Sequence, residues 1–337
     1  MKKVVMTIAC AAILFGAVED IRVLQKACDG GNTISCDYIG FLYDNGQGIG
    51  QDYKKDRELY SKACDMGNAM GCYTLGILYA EGRGVKQNYK KAGELYSKAC
   101  EMGNANGCYN LGILYNSGRG VSQDKKAAEK YFGKACDMEY ADGCYNLGVL
   151  YDTTKDVKQA EKYYKEAVRL GQVKAYYKLG YLYSKNKNKN LAIENYKQAV
   201  ERTKNVDAMY NLGLIYEETN QKSEAIKYFQ MAADNGDKDS YDNLGNLYME
   251  TGNLALAEKN YKIATDKYNN AEAAYNLGVL YEKKNDNKNA IKYFEKAMSA
   301  GIKGGYYRLG LLYDEVKDTK KAEQYYKLAV DKENDDT

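Results

Sequence analysis

The chain has 337 residues, with 49 Lys and Arg against 46 Asp and Glu, so its formal net charge is only +3. This balance argues against a nucleic-acid-binding protein, which would need a clustered excess of cations. Pro, Trp and His are absent, beside 36 Tyr and 32 Gly. The absence of Pro suits an almost wholly helical chain, because an interior Pro costs a helix roughly 3 kcal/mol. The absence of His removes the commonest general base and metal ligand.

Residues 1–18 are predicted to form a secretory signal peptide. A basic start, Met1 to Lys3, precedes the uncharged apolar stretch Val4 to Ala17, which Glu19 ends. This stretch is too short for a transmembrane helix, which needs about 20 apolar residues, so we expect no membrane span. Lipid attachment at Cys10 is the alternative. The segment therefore predicts a secreted or periplasmic protein.

The eight cysteines after this segment recur at alternating intervals of 8 and 28 residues. A constant period, here 36 residues, predicts a repeat protein. An even set of regularly spaced cysteines also predicts a disulfide framework and an oxidising compartment. The eight residues are Cys28, Cys36, Cys64, Cys72, Cys100, Cys108, Cys136 and Cys144.

Two pairing schemes fit this spacing. Local pairs would be 28–36, 64–72, 100–108 and 136–144, whereas the other scheme, 36–64, 72–100 and 108–136, leaves Cys28 and Cys144 unpaired. We favour local pairs because the equivalent positions in the cysteine-free half are mostly apolar, as with Val168 and Tyr176. Apolar partners are expected where two positions touch. We interpret the pairs as structural staples, since closely spaced zinc ligands and C-x-x-C redox pairs are absent.

The most regular marker is a glycine that follows Leu or Ile and precedes Tyr by three residues. The Leu or Ile and the Tyr are four residues apart and share one helical face, which predicts a helix, here called helix A. The glycine would let a second helix approach closely. It recurs at Gly40, Gly76, Gly112, Gly148, Gly180, Gly213, Gly245, Gly278 and Gly310, with spacings of 36 residues up to Gly148 and of 32 or 33 beyond.

A second helix, helix B, is predicted after each helix A. Alanine stands 12 residues after the marker glycine in the six short units and 16 after it in the long units, where Asp56 is the one exception. An aromatic residue and a second alanine usually follow, as at Ala128, Phe132 and Ala135. Small and large residues at this spacing form a helix surface suited to tight pairing. We expect nine A–B hairpins, preceded by one B-type helix at about residues 18–30.

These residues carry a family resemblance. The long units, with loops such as Gly82-Arg83-Gly84 and Lys-Ala-Cys endings, resemble SEL-like repeats, and the short units resemble tetratricopeptide repeats. Cysteine pairs with seven residues between them resemble the Helicobacter cysteine-rich proteins. The resemblance implies an all-α protein, a right-handed α/α solenoid. Its cysteine-paired repeats would span 19–144 and its shorter repeats 145–333, with a polar tail at 334–337.

The same resemblance implies one enzymatic alternative, because the Helicobacter cysteine-rich proteins are known as weak penicillin-binding proteins or β-lactamases. A serine β-lactamase needs Ser-x-x-Lys together with Ser-Asp-Asn and Lys-Thr-Gly. Ser122 with Lys125, and Ser184 with Lys187, match the first spacing, but the other two motifs are absent. We therefore predict no catalytic residue, no metal site and no cofactor, and we favour a non-catalytic protein.

A row of tyrosines and asparagines is the candidate binding site. Tyr stands three residues before seven of the nine marker glycines, with Asp37 and Asp242 breaking the series, and Asn often follows it. These positions lie roughly 100° and 200° around helix A from its packing stripe. In tetratricopeptide-like solenoids, which the chain resembles, that side lines the concave groove. The predicted groove residues are Tyr73, Tyr109, Asn110, Tyr145, Asn146, Tyr177, Tyr210, Asn211, Asn243, Tyr275, Asn276 and Tyr307.

This row has two interpretations. Tyr offers contact area with a hydroxyl, and Asn can pair with an extended peptide backbone, so the row suits a protein or peptide partner. Alternatively, the tyrosines pack against the next repeat and the asparagines only follow the repeat pattern. Because concave solenoid surfaces are typical partner sites, we predict a secreted or periplasmic scaffold that binds a protein or peptide. We predict neither the identity of the partner nor the oligomeric state.

Overall fold

The computed structural model describes residues 19–334. The predicted signal peptide, with Cys10, lies outside the described residues, as do residues 335–337. Within residues 19–334 every regular element is helical, so the all-α prediction is confirmed. In chain order the helices are α1 (Glu19–Asp29), α2 (Thr33–Asn45), α3 (Tyr53–Asp65), α4 (Ala69–Glu81), α5 (Tyr89–Glu101), α6 (Ala105–Ser117), α7 (Lys125–Asp137), α8 (Ala141–Thr153), α9 (Val157–Arg169), α10 (Ala175–Lys185), α11 (Lys189–Thr203), α12 (Val206–Glu218), α13 (Lys222–Asp234), α14 (Ser240–Glu250), α15 (Leu254–Lys262), α16 (Ala271–Lys283), α17 (Asn287–Ser299), α18 (Gly305–Glu315) and α19 (Thr319–Asn334).

The chain divides into two compact units, the first ending at Ala175 and the second beginning at Tyr176. In the first unit, the leading helix α1 precedes four A–B hairpins, α2–α3, α4–α5, α6–α7 and α8–α9, and each helix packs against the next. The remaining hairpins, α10–α11 to α18–α19, belong to the second unit, apart from Ala175 at the start of α10. Within each unit the hairpins pack against their sequence neighbours, which confirms the α/α solenoid.

Local sequence signals begin and end these helices, as α4 illustrates. The Asn68 side chain accepts hydrogen bonds from the backbone N–H groups of Met70 (2.9 Å) and Gly71 (3.0 Å), and so caps the helix N-terminus. At the other end Gly82 has a φ of 75°, and its N–H donates to the Leu78 carbonyl at 2.9 Å. Glycine adopts this left-handed conformation without a Cβ clash, which lets the helix stop here.

The marker glycine of each helix A faces an aromatic ring of its own helix B. At Gly112 an added Cβ would lie 2.7 Å from Cδ1 and 2.8 Å from Cε1 of Phe132, so the ring occupies the space that a side chain would need. Phe132 is 2% exposed, and Ala128 and Ala135 on either side of it are fully buried. The expected close approach of the two helices is confirmed, and it recurs in all nine hairpins.

The longer A–B loops of the first unit reach the preceding hairpin. In the α4–α5 loop, Gly84 has a φ of 64°, and an added Cβ would lie 2.4 Å from Cβ of Tyr53 at the start of α3. Arg83 in the same loop forms an ion pair with Asp44 of the preceding hairpin at 2.9 Å. The extra loop residues therefore add contacts between neighbouring repeats.

Two of the short units hold one extra residue, and they accommodate it differently. Helix α11 has 15 residues instead of the 13 of α9, and the residue that follows its end, Lys204, has a left-handed φ of 50°. Helix α15 instead continues as a π-helical turn, Ile263–Lys267. A π turn inserts a residue without ending the helix, so both solutions keep the next helix A in register.

All four local disulfides are present, and the scheme that leaves Cys28 and Cys144 unpaired is excluded. Each bridge joins the last turn of one helix, α1 or a helix B, to the first turn of the next helix A, with Cα atoms 4.5 to 4.8 Å apart. Such bridges indicate an oxidising compartment, such as the periplasm or the extracellular space. The pairs are Cys28–Cys36, Cys64–Cys72, Cys100–Cys108 and Cys136–Cys144.

One buried residue departs from the repeat pattern. Asp56 in α3 stands where every other helix B has alanine, and it is fully buried. Among the described residues, neither of its carboxylate oxygens has a well-formed hydrogen bond. Burial raises the pKa of Asp56 from its ordinary 3.8 to about 6, because the charged form loses its hydration.

Candidate binding surface

The predicted groove residues lie on the ladder face, which we define as the positions three and two residues before and one residue after each marker glycine. Each ladder tyrosine packs its ring against the core aromatic residue of its own helix B, so one side of the ring is covered. Six of the seven are partly buried, and Tyr307 is 59% exposed. Ring centroids lie 5.4 to 6.0 Å apart in Tyr73–Tyr96, Tyr109–Phe132, Tyr145–Tyr164, Tyr177–Tyr196, Tyr210–Phe229, Tyr275–Phe294 and Tyr307–Tyr326.

Two asparagines of the ladder face donate to the tyrosine hydroxyl of the preceding repeat. The Asn146 amide donates to the Tyr109 hydroxyl at 3.1 Å, and the Asn243 amide donates to the Tyr210 hydroxyl at 3.3 Å. These bonds tie neighbouring A helices together while leaving both side chains at the surface. Burial raises the pKa values of Tyr73 and Tyr96, and Asn110 beside them lowers both by a smaller amount.

The pattern varies toward the end of the chain. Arg308 takes the asparagine position and donates from Nε to the Tyr275 hydroxyl at 3.1 Å. Asn211 instead donates to the backbone carbonyl of Asp207 at 2.7 Å. Asn276 donates to the Asp242 carboxylate at 3.3 Å, because Asp242 replaces the tyrosine of that repeat.

Five of the ladder hydroxyls are held in their protonated form. Burial is the main cause that raises their pKa values above 10, because the phenolate would be poorly solvated there. A protonated hydroxyl can donate as well as accept, so it can serve both a neighbouring asparagine and a bound partner. The five are Tyr73, Tyr109, Tyr145, Tyr177 and Tyr210.

A pocket of about 170 Å³ opens on the ladder face between α6 and α8. Ile113 and Val149 supply its apolar walls, Phe132 also lines it, and Asn146 lies beside them. Asn146 is the predicted groove residue whose amide holds Tyr109. Asn116, Lys125 and Thr153 line its polar side, so the pocket places a largely apolar recess directly beside the tyrosine–asparagine ladder.

Sequence reasoning missed the apolar part of this surface. The residue after the marker glycine is apolar in each of the first four hairpins, at Phe41, Ile77, Ile113 and Val149. Phe41 is 41% exposed, and the other three are partly buried. An apolar residue recurring on the polar side of helix A is the signal that would have identified it.

The two Ser-x-x-Lys matches do not form a site. Ser122 is exposed in the α6–α7 loop and Lys125 begins α7, whereas Ser184 lies in α10 and Lys187 in the turn after it. In the described part of the chain no hydrogen bond joins either serine to its lysine. Residues 19–334 also contain no cluster of His, Cys, Asp and Glu suited to a metal ion. None of the helices there is long and apolar enough to cross a membrane.

Repeat-family models match nearly all of the described chain. The Sel1 repeat matches residues 34–68, 69–104 and 105–140. Tetratricopeptide repeat models match residues 141–170, 177–240, 243–304 and 304–334. No curated protein sequence matches the chain significantly.

Two solved structures similar to this chain show the same fold. A protective antigen of uropathogenic Escherichia coli has a TM-score of 0.59 at 23% identity, covering 92% of this chain and 79% of its own. A Sel1 repeat protein from Oxalobacter formigenes has a TM-score of 0.51 at 26% identity, covering 64% and 99%. Cysteine rich protein B of Helicobacter pylori is 33% identical over 38% of this chain and 92% of its own, with a TM-score of 0.32. The chain belongs to the Sel1 and tetratricopeptide repeat proteins.

Proposed function

We propose that the chain is a secreted or periplasmic scaffold that binds a protein or peptide partner along its ladder face, without catalysis. Repeat solenoids typically use their concave surfaces for such binding. The buried disulfides support an extracytoplasmic location, since thiols stay reduced in the cytosol. Within each unit the ladder extends over several hairpins, which suits an extended partner.

The pocket between α6 and α8 carries this proposal. A cavity of about 150 Å³ can hold a benzene molecule, so 170 Å³ suits one Leu-sized or Phe-sized side chain. With Asn146 Nδ2 bonded to Tyr109, Oδ1 of the same amide is the acceptor that a backbone N–H of the partner would use. An apolar recess beside a backbone acceptor is the arrangement that an extended peptide with an apolar anchor requires.

Charges placed in the recess test the proposal. The probe is a fluorescein-labelled peptide selected from a random library on the immobilised, oxidised chain. We expect Ile113→Glu and Val149→Glu each to weaken its binding at least about tenfold in fluorescence anisotropy, because loss of a buried anchor typically costs more than 1 kcal/mol. Val157→Glu, at a position 37% exposed on α9 away from the ladder face, is the control. Unchanged affinity in both recess variants would contradict the proposal.

The ladder itself requires a separate test. Replacing Tyr109 and Tyr145 together by Phe removes both hydroxyls but retains the rings that pack on helix B. If the ladder contributes to recognition, the same peptide loses affinity while the thermal unfolding midpoint changes little. If only the midpoint falls, the ladder serves the packing of neighbouring repeats.

A nitrocefin assay on the oxidised chain distinguishes this proposal from lactam hydrolysis. No turnover is expected, since neither Ser122 nor Ser184 is hydrogen-bonded to the lysine of its motif. Turnover that Ser122→Ala or Ser184→Ala abolishes would overturn the non-catalytic proposal.

A further inference from the structure

We propose that the first hairpin, α2–α3, is a pH-responsive element: its helices stay packed while the Asp56 carboxyl group is protonated and separate more readily once it ionises. This inference is independent of the proposed binding function. It rests on the position of one side chain within the repeat.

The position of Asp56 is an alanine slot. Its counterparts Ala92 and Ala128 are fully buried, and the slot is formed by the packing of helix B on its neighbours. Asp56 places a carboxyl group there that is equally buried, and neither oxygen has a well-formed hydrogen bond among residues 19–334. The Arg57 backbone N–H lowers the pKa of this carboxyl, but burial raises it by more. Burying an ionised carboxylate without a partner is strongly unfavourable, so the packed hairpin favours the neutral acid.

The charged groups that face Asp56 do not neutralise it. Asp44 of α2 and Asp52 at the start of α3 are both acidic and oppose its ionisation. Arg83, from the α4–α5 loop, is the cation that favours ionisation, but its guanidinium contacts both carboxylate oxygens of Asp44 at 2.9 and 3.1 Å. The facing charges therefore leave Asp56 without an ion-pair partner.

A second carboxyl group lies in the same hairpin. Asp37 of α2 has a buried oxygen with no hydrogen-bond partner in the described structure, and burial raises the pKa of this carboxyl to about 6. Tyr60, only 2% exposed, packs on Gly40. Burial is the main cause that raises the pKa of its hydroxyl, and Asp37, Asp44 and Asp56 raise it further. The core of this hairpin thus holds two carboxyl groups, Asp37 and Asp56, at the positions where the α6–α7 hairpin has Tyr109 and Ala128.

The covalent structure permits the hairpin to open. The bridge Cys28–Cys36 ties α2 to α1, and Cys64–Cys72 ties α3 to α4. Neither bridge spans the α2–α3 loop. Separation of α2 from α3 would therefore break side-chain packing but no disulfide.

The direction of the pH effect follows from the two states. The pKa of Asp56 is 3.8 in the open hairpin and about 6 in the closed one. The open form therefore gains stability relative to the closed form as the pH rises from 3.8 to 6, and this gain is complete above pH 6. Between pH 5.0 and pH 7.5 Asp56 alone should raise the opening equilibrium constant about tenfold.

Hydrogen exchange on the full oxidised chain tests this inference. After correction for the intrinsic pH dependence of amide exchange, opening of α2 and α3 should increase from pH 5.0 to pH 7.5. Asp56→Ala restores the residue of the other hairpins. In this variant the rise in the opening equilibrium constant between pH 5.0 and pH 7.5 should be about tenfold smaller than in the natural chain, and opening at pH 7.5 should be rarer. Asp56→Asn should lose the same pH response while retaining a buried polar group.

Two control variants separate the contributions. Glu58→Ala removes an exposed carboxylate from the same helix and should leave the pH response unchanged. Asp37→Asn should remove only the part that Asp37 contributes. The inference is overturned if Asp56→Ala keeps the full pH dependence of the natural chain, or if opening of α2–α3 does not increase with pH.

Discussion

Two glycines of the third hairpin, α6–α7, differ in the space that a side chain would have. Gly112 lies in α6 against the Phe132 ring, where an added Cβ would come within 2.7 Å of a ring atom. Gly133 lies in α7, where the nearest atom to an added Cβ, Cδ2 of Leu147, is 4.0 Å away. Both residues weaken their helix intrinsically, but only Gly112 is required by packing.

Alanine substitution should therefore act in opposite directions at these positions. We expect Gly112→Ala to lower the free energy of unfolding by about 1–3 kcal/mol, because the ring must move out of a filled core. Gly133→Ala, the matched control, should raise it by roughly 0.5–1 kcal/mol through better helix propensity. Denaturant unfolding followed by circular dichroism measures both. A stabilising effect of Gly112→Ala would show that the close approach is not needed.

Residue-scale prediction from sequence succeeded where the repeat imposes a packing requirement. The marker glycine and its facing aromatic residue recur at fixed offsets, so their contact was predictable. The bond from Asn146 to Tyr109 was not, because it depends on how neighbouring A helices are rotated against each other. Binding by the ladder residues stays a prediction.

The turn from helix B into the next helix A is one structural joint, with or without sulfur. In the first unit a disulfide closes it, as between Cys100 and Cys108. In the second unit the equivalent residues Ala233 and Tyr241 still touch, with the Tyr241 hydroxyl donating to the Ala233 carbonyl at 3.5 Å. Sulfur therefore reinforces a contact that the fold also makes without it.

Reduction should accordingly loosen the cysteine-bridged repeats first. Each short bridge contributes about 2–3 kcal/mol on the chain-entropy account, so its loss should speed amide exchange in residues 28–144. The second unit, which has no bridge among its described residues, serves as the internal control. Hydrogen exchange with and without tris(2-carboxyethyl)phosphine measures the difference. Equal loosening of both units would contradict the local role of the bridges.

The placement of the odd residue in two short units could not be predicted. The spacing of 33 residues showed that one residue had to be accommodated. The choice between the longer α11 and the π turn after α15 depends on what each helix end buries. At that turn Thr265 is fully buried, and its carbonyl accepts from Lys296 at 3.1 Å.

Across the whole molecule, the two units contain carboxylates that respond to acid in opposite directions. Asp56 in the first unit destabilises its hairpin as the pH rises. Glu258 in the second unit accepts hydrogen bonds from Lys262 at 2.6 Å and from the Tyr281 hydroxyl at 2.7 Å, and it pairs with Lys284. The hydrogen bonds from Lys262 and Lys284 are the main cause that lowers the pKa of Glu258 from 4.5 to about 2.

Acid should therefore weaken the α15–α16 contact. Glu258 stabilises the fold fully above pH 4.5, and this contribution is lost as the pH falls toward 2. We expect corrected exchange in α15 and α16 to increase from pH 5 to pH 3, while exchange in α2 and α3 decreases. Glu258→Gln should remove the response of α15 and α16. An unchanged response in that variant would assign it to other groups.

The positions of the bridges also determine what a single backbone cut would do. A protease that cleaves after Gly67 cuts inside the loop closed by Cys64 and Cys72, so the two fragments stay covalently linked. Cleavage at Gly84, in the α4–α5 loop, falls between bridges and leaves only side-chain packing to hold the fragments. In the oxidised first unit, four of the interhelical turns can be nicked without release of a fragment. Resistance to fragmentation by a protease is thus built into the turns from helix B to helix A.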